Sequence, residues 1–339
     1  MPRAVLIVRL GALGDLVHAL PAAAALRQAW PDARIDWLVD ARYQALLGFV
    51  PILDHVIVVG GRGGASHARV LKSLRQQQYD VALDLQGLLK SAVMARLTGA
   101  RRVIGFATPQ LREKAAGLFY TDHVSADDGG HVIAKNMSVL RELGVTPGPW
   151  TFPLAVPTSH VVDGVRARLG LGPADRFAIV NPGAGWPNKQ WPPERFGALA
   201  SYLASRHRLR SVVLWGPAER LVAEAVAAAS DGAAQVAPPT GVGDVMVLAR
   251  AAALFVAGDT GPLQLAAAVG TPAVGIFGPT NPVRNGPWSA ADVCVSRFES
   301  CECHHKRRCR RRTACIHDIS VDDVIHAAER RLLGASDSV

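Results

Sequence analysis

Short apolar runs alternate with helically spaced segments along most of the chain. Residues 4–8, 35–39, 55–59, 81–85 and 102–106 are compact aliphatic runs with the length of buried strands. Between them, residues 15–29, 43–49, 66–78 and 87–98 repeat apolar positions every three to four residues, and 131–143 does the same at the end of this half. Strands alternating with helices predict a parallel sheet covered on both faces.

The second half repeats the theme. Residues 177–180, 211–215, 235–237, 253–257 and 273–277 read as strands, and 192–205, 220–229 and 242–252 as helices. An alanine-rich helix fills the space between the last two strands, and a final helix covers 321–333 and can pack on either half. Between the halves, Gly144, Pro147, Gly148, Pro149, Pro153 and Pro157 crowd one short stretch, which predicts a linker. The expected organisation is α/β, with one Rossmann-like domain at 1–150 and a second at 151–339, facing each other across a cleft.

The turns after the predicted strands are the places to look for chemistry. In open parallel sheets, ligands bind beyond the carboxyl ends of the strands. The segment 258–282 has two such turns in succession, Gly258-Asp259-Thr260-Gly261-Pro262 and Gly278-Pro279-Thr280-Asn281-Pro282. Asp259 and Thr260 suit a helix cap, Pro262 suits the first helical turn, and the free N–H groups there suit a phosphate. The turn after the first strand runs from Arg9 to Asp15 with glycines at 11 and 14, which is not the dinucleotide fingerprint. Asp15 reads as an N-cap, a common place for Asp, or alternatively as a general base.

In the loop after the strand at 177–180, Lys189 can meet a phosphate as a point charge, while Trp186 and Trp191 offer flat surface for a base. A surface lysine beside two packing tryptophans is the plainer alternative. Glu219, after the strand at 211–215, can accept from ribose hydroxyls or can be an ordinary acid in a helix's first turn.

Composition narrows the class. The chain has 339 residues, enough for two cores, and no apolar run long enough to span a bilayer. Arg9 interrupts the N-terminal apolar stretch too early for a signal peptide, so a cytoplasmic protein is expected. Of the net charge of +9, the stretch from Cys301 to Cys315 carries +5, with Lys306, Arg307, Arg308, Arg310, Arg311 and Arg312 against Glu302. Such a patch suits anionic lipid at a membrane surface, nucleic acid or a phosphorylated substrate, or is simply a solvated loop. Cys301, Cys303, Cys309 and Cys315 have the spacing C-x-C-x5-C-x5-C, which fits either a structural metal site or reduced packing thiols. Cys294 reads as a core residue.

Several pieces occur together in a specific order: Arg9 to Pro21, Asp84 to Ser91, Arg112 to Ala115, His131 to Asn136, Lys189 to Pro192 and Asp259 to Gly261. In this order they resemble glycosyltransferase family 9, the bacterial lipopolysaccharide heptosyltransferases, and the cysteine pattern is similar to one in many members. The resemblance implies a GT-B architecture and inverting transfer of heptose from ADP-heptose to a lipid A–core acceptor. It implies that Asp15 is the base, that Lys189 holds the donor diphosphate, and that Asp259, Thr260 and Gly261 meet the donor. Glu219 looks like the family's ribose-contacting acid. Arg62, Arg112 and Lys114 are candidates for acceptor phosphates. This chain departs from the pattern at Gln264, where most relatives have His; Gln keeps hydrogen bonding but cannot become cationic.

No Asp-x-Asp lies in a strand-end turn, and Asp127 and Asp128 are adjacent rather than spaced, so metal-independent catalysis with no cofactor is expected. The alternatives are a different nucleotide-sugar donor, motivated by Gln264, and a nucleic-acid-binding protein using the Cys/Arg patch. The second leaves Asp15, Lys189 and Asp259 without a role, so no nucleic-acid partner is expected.

Overall fold

The computed structural model of the protein describes residues 1–60, 70, 72–126 and 130–336. The chain divides into two compact units, Met1–Ala155 and Val156–Val339. Residues 151–155 stay with the first unit because the Ala155 N–H donates to the Phe49 carbonyl at 2.8 Å.

The first unit is built on β1 (Ala4–Val8), β2 (Arg34–Asp40), β3 (His55–Val59), β4 (Val81–Asp84), β5 (Arg102–Phe106) and β6 (Asp122–Val124). They form one parallel sheet in the order β3-β2-β1-β4-β5-β6. Val5 pairs with Ile35 on one side and Val81 on the other. The chain winds outward from β1 to β3, returns, and winds outward again from β4 to β6. β1 and β4 are therefore neighbours whose connections leave in opposite directions, the switch point at which such sheets bind ligands. Every residue of β1 is buried, as expected for a strand covered on both faces.

The second unit repeats this order with β7 (Phe177–Asn181), β8 (Arg210–Val213), β9 (Ala234–Val236), β10 (Leu254–Gly258), β11 (Ala273–Phe277) and β12 (Val293–Ser296), arranged β12-β11-β10-β7-β8-β9. Its switch point lies between β7 and β10, where Val180 pairs with Val256 and Asn181 with Ala257. Alternate residues face opposite layers. Phe177, Ile179, Phe255 and Phe277 pack with Val165, Leu169 and Leu248 on one side. Ala178, Val180, Val256 and Ile276 pack with Leu199, Leu203, Val324 and Leu332 on the other. Each fully buried Phe or Leu contributes about 1.5–3 kcal/mol. The last helix, Val321–Ser336, belongs to this unit: Val324, Ala327, Ala328 and Leu332 join its core, and Arg331 pairs with Asp292 at 2.7 Å.

Three features differ from the sequence expectation. The helix expected at 15–29 is two helices, Leu13–Val17 and Leu20–Ala29. Pro21 explains the break, since it has no N–H to give Val17 and its ring would strike that carbonyl in a continuous helix. Helix Val161–Leu169 was not anticipated, although Val161, Val165 and Leu169 keep helical spacing and Gly170 ends it at φ +64°. The edge strands β6 and β12 were also not expected: β6 is mostly polar and every residue of β12 is only partly buried, so neither stands out as an apolar run. No helix among the described residues is long and apolar enough to cross a membrane.

Candidate active site

In the first unit the turns at the switch point are tied together by side chains. Beyond β1, the Arg9 guanidinium donates to the Leu85 carbonyl in the turn after β4. The Leu10 N–H donates to Gln86 Oε1 at 2.7 Å, and the Trp37 indole N–H to the Arg9 carbonyl at 3.1 Å. Asp84, at the end of β4, is buried and accepts from the Gln86 and Gly87 N–H groups, the Ser91 hydroxyl and the Tyr120 hydroxyl at 2.8–3.2 Å. Burial still pushes its carboxyl above the ordinary value.

Asp15 stands on this platform. One carboxylate oxygen pairs with the second guanidinium nitrogen of Arg9 at 2.8 Å, and the other accepts from the Ala12 N–H at 3.0 Å. Asp15 is therefore not the N-cap, which is Ala12, but stands at the third position of helix Leu13–Val17 and reaches back to the Ala12 N–H, and its side chain remains 40 % exposed. Burial pushes its carboxyl up, but the charges of Arg9 and His18 and the Ala12 N–H outweigh it, so the group lies below the ordinary aspartate value. It is ionised at neutral pH and within reach of a ligand. His18 lies one turn further on, its ring edge-on to His131 at 5.4 Å, and His131 in turn lies 5.3 Å from Trp150. Asn136 donates to the His18 carbonyl at 3.0 Å. The 131–136 motif thus braces the helix that follows Asp15.

Arg112 and Lys114 are exposed on either side of Glu113, which accepts from the Leu89 N–H at 2.7 Å. That bond places their segment beyond the carboxyl end of β4. Arg62, Asp127 and Asp128 lie outside the described residues. A cavity of about 560 Å³ sits at the opposite end of this sheet, by the amino ends of β1, β4 and β5, lined by Trp30, Arg101 and Arg102 among others. Its arginines face Asp80, Asp122 and Glu142, so it lacks the uncommitted charge of an anion site.

In the second unit the switch point joins Lys189 to Asp259. Lys189 closes a single 3-10 turn, Pro187–Lys189, and its ammonium lies 2.6 Å from the Asp259 carboxylate and 4.5 Å from the centre of the Trp186 ring. Both side chains are largely buried, at 14 % and 12 % exposure. Gly258 permits this approach, since a Cβ there would stand 3.0 Å from the Lys189 carbonyl. Thr260 caps helix Gly261–Ala268, its hydroxyl accepting from the Leu263 N–H at 3.5 Å. The Glu219 carboxylate accepts from the Gly216 N–H at 2.8 Å and lies against Gly183, where a Cβ would collide with it. Glu219 therefore bridges the turns after β7 and β8.

Two expectations change here. Trp191 offers no surface: it is 1 % exposed, packs edge-on to Phe196 at 4.9 Å and donates to the Ile319 carbonyl. Gln264 is also buried, and its amide N–H donates to the Asn285 carbonyl at 2.6 Å, so it holds the short helix Pro282–Asn285 in place. That helix carries Arg284, which sequence reasoning passed over although it follows a strand-end turn. His305 was also missed. Burial first, then the charges of Arg284, His304 and Lys189, holds its imidazole below the ordinary value, while Asp259 acts in the opposite direction. Its place near Lys189 depends on the path of a loop without regular structure, which has no sequence signature. Cys294 is half-buried and packs against the core of the second unit, and burial pushes its thiol up to about 12.

Two Rossmann-ordered sheets, one bearing an exposed ionised aspartate and the other a lysine and a capped helix at its switch point, define a protein of the GT-B class. Comparison with known proteins agrees. Residues 67–315 match the model of glycosyltransferase family 9 (heptosyltransferase). Lipopolysaccharide heptosyltransferase 1 of Pseudomonas aeruginosa is 31 % identical over 320 residues, covering 90 % of this chain and 87 % of the relative. The crystal structure of a glycosyl transferase family 9 protein from Veillonella parvula superimposes with a TM-score of 0.82 at 23 % identity, covering 98 % and 97 % of the two chains. That of the E. coli heptosyltransferase WaaC with ADP-2-deoxy-2-fluoro heptose superimposes with a TM-score of 0.74 at 24 % identity, covering 96 % and 99 %. The chain belongs to glycosyltransferase family 9. It is a glycosyltransferase with a GT-B fold.

Proposed function

We propose that the protein transfers heptose from ADP-heptose to a sugar of the lipid A–core with inversion, in lipopolysaccharide synthesis. The observation that carries this reading is the pairing of roles: an ionised, accessible Asp15 in one unit and the Lys189–Asp259–Thr260 switch point in the other. The P. aeruginosa relative is a lipopolysaccharide heptosyltransferase, and the E. coli WaaC structure holds an ADP-heptose analogue, which supports the choice of donor.

In this reaction the acceptor hydroxyl oxygen attacks the anomeric carbon while the bond from that carbon to the diphosphate oxygen breaks. Asp15 takes the hydroxyl proton. Charge grows on the departing ADP, where Lys189 and the N–H groups of Thr260 and Gly261 stabilise it. Glu219 receives the ribose hydroxyls, and Gln264 acts through the Asn281–Asn285 turn. Arg112 and Lys114, with Arg62, meet acceptor phosphates. The enzyme works in the cytoplasm, and its basic loop brings it to the anionic inner-membrane surface that holds the acceptor.

Mixing purified protein with ADP-heptose and a truncated lipid A–core acceptor should release ADP in step with acceptor consumption. ADP release that persists without acceptor, or none across several acceptors, contradicts the proposal. Stabilisation by UDP-sugars but not ADP-sugars would leave the transferase class intact and remove heptose as the donor.

A further inference from the structure

We propose that Cys301, Cys303, Cys309 and Cys315 bind one divalent transition-metal ion through four thiolates, and that this knot holds Lys189 in position. The Sγ atoms of Cys301, Cys303 and Cys315 all lie within 4.8 Å of one another, and Cys309 packs against them. Cys301 and Cys303 are 3.4 Å apart. A disulfide needs about 2.05 Å between sulfurs. A tetrahedral ion with metal–sulfur bonds of about 2.3 Å separates its sulfurs by about 3.8 Å, within the spacing found here. The nearby imidazole of His304 is committed elsewhere: it stacks on Phe298 at 4.2 Å and contacts the Phe298 carbonyl at 2.7 Å. The donor set is thus four sulfurs, which suits zinc or iron.

The charge of the loop is complementary to such a centre. A divalent ion with four thiolates carries a net charge of −2, and the same loop carries +5. Arg311 shares part of its charge with Asp318 at 2.7 Å, but Arg308, Arg310 and Arg312 have no ion-pair partner among the described residues. The loop between residues 299 and 314 has no helix or strand, and its three cysteines form a hydrophobic cluster of their own with Cys315. Such a small cluster is a weak core for a charged loop, and metal ligation supplies folding energy directly.

The knot is stitched to the Lys189 turn. The buried Asn188 donates from Nδ2 to the Lys306 carbonyl at 2.8 Å and lies 3.9 Å from the Cys303 sulfur. The His305 N–H donates to the Pro279 carbonyl at 2.9 Å. Gly278 lets the Asn188 carbonyl and Ile316 close on β11's exit turn. The Arg307 guanidinium lies 5.8 Å from the Trp186 ring centre, the ring that also faces Lys189. A change at the sulfurs reaches Lys189 through one intervening residue, Asn188.

The coupling half of the proposal rests on the donor reading above, so the test separates the two. Elemental analysis of the full-length protein should find one zinc or iron per chain, lost in Cys303→Ser and Cys315→Ser. No metal above background, with all five thiols freely reactive, overturns the site. Asn188→Ala keeps all four cysteines. It should retain the metal, speed hydrogen exchange at residues 186–190 and weaken ADP binding about tenfold. Unchanged exchange and ADP affinity in that variant, with metal bound, overturn the coupling. If the wild-type protein holds metal but does not bind ADP, the donor reading fails, while metal content and exchange still decide the knot.

Discussion

The Lys189 ammonium and the Asp259 carboxylate meet at 2.6 Å across the gap between β7 and β10, joining the two turns at which a Rossmann-ordered sheet binds its ligand. Asp259 uses one of the lysine's three donors and fixes the direction of the others. The Trp186 ring shields the ammonium from water on another side. A lysine held this way stabilises charge on a diphosphate without first having to be ordered.

Lys189→Ala should lower kcat/KM by about 10²–10³-fold, equivalent to about 3–4 kcal/mol of transition-state stabilisation. The ADP-release assay measures it. The same change strands the Asp259 carboxylate at 12 % exposure, so it should also destabilise the fold. Lys189→Ala/Asp259→Ala should recover part of that loss, with a coupling of about 1–3 kcal/mol in a denaturation double-mutant cycle.

As the proposed base, Asp15 has to be ionised to accept a proton, and its carboxyl lies below the ordinary value of 3.8. The acid limb of the pH profile should therefore fall below the range of an unperturbed aspartate. Removing the Arg9 charge takes away a group that favours the carboxylate, so Arg9→Met should move that limb to higher pH. Asp15→Asn should abolish turnover and keep ADP affinity near wild type. The sign for stability is parallel. The Arg9–Asp15 pair contributes fully above the unfolded aspartate pKa, and the contribution fades as pH falls through the lower folded value.

Much of this site was legible because its chemistry sits at the ends of regular elements. β1, β7 and β10 are buried aliphatic runs, so the positions of Asp15, Lys189, Asp259 and Thr260 follow from where those runs stop. The partnerships were not legible, because they join residues distant in sequence. Nothing local to Lys189 points to Asp259, 70 residues away, and nothing local to Arg9 points to the Leu85 carbonyl. Trp191 was misread because it follows Lys189 and Gln190 in a loop, while its ring reaches the layer under Ile319. Gln264 drew attention through the family pattern, where most relatives have His, and nothing local to it points to the Asn285 carbonyl that its amide meets.

Tyr120 donates to the buried Asp84 at 2.8 Å, and its ring fills the space that Gly105 leaves without a Cβ. Tyr120→Phe keeps the ring and removes the hydroxyl, leaving Asp84 with three donors. The expected cost is about 1–2 kcal/mol by urea denaturation, with the fold retained. Gly105→Ala should cost more, since its methyl would run into the ring and force the strand or Tyr120 to move.

Gly183 and Gly185 lie in one loop and predict opposite outcomes. A Cβ on Gly183 would occupy the space of the Glu219 carboxylate, whereas one on Gly185 meets nothing within 4 Å. Gly183→Ala must push Glu219 away from the Gly216 N–H, breaking the 2.8 Å bond that joins the turns after β7 and β8. If Glu219 binds the donor ribose, Gly183→Ala raises the donor KM about tenfold, a cost of about 1.4 kcal/mol, with a smaller change in kcat. Gly185→Ala leaves both near wild type. Glu219→Gln should reproduce the Gly183→Ala defect in donor KM, and the two changes combined should be less than additive because they act on one contact. Steady-state kinetics with donor varied at saturating acceptor decides it; a wild-type donor KM in Gly183→Ala would remove Glu219 from the donor site.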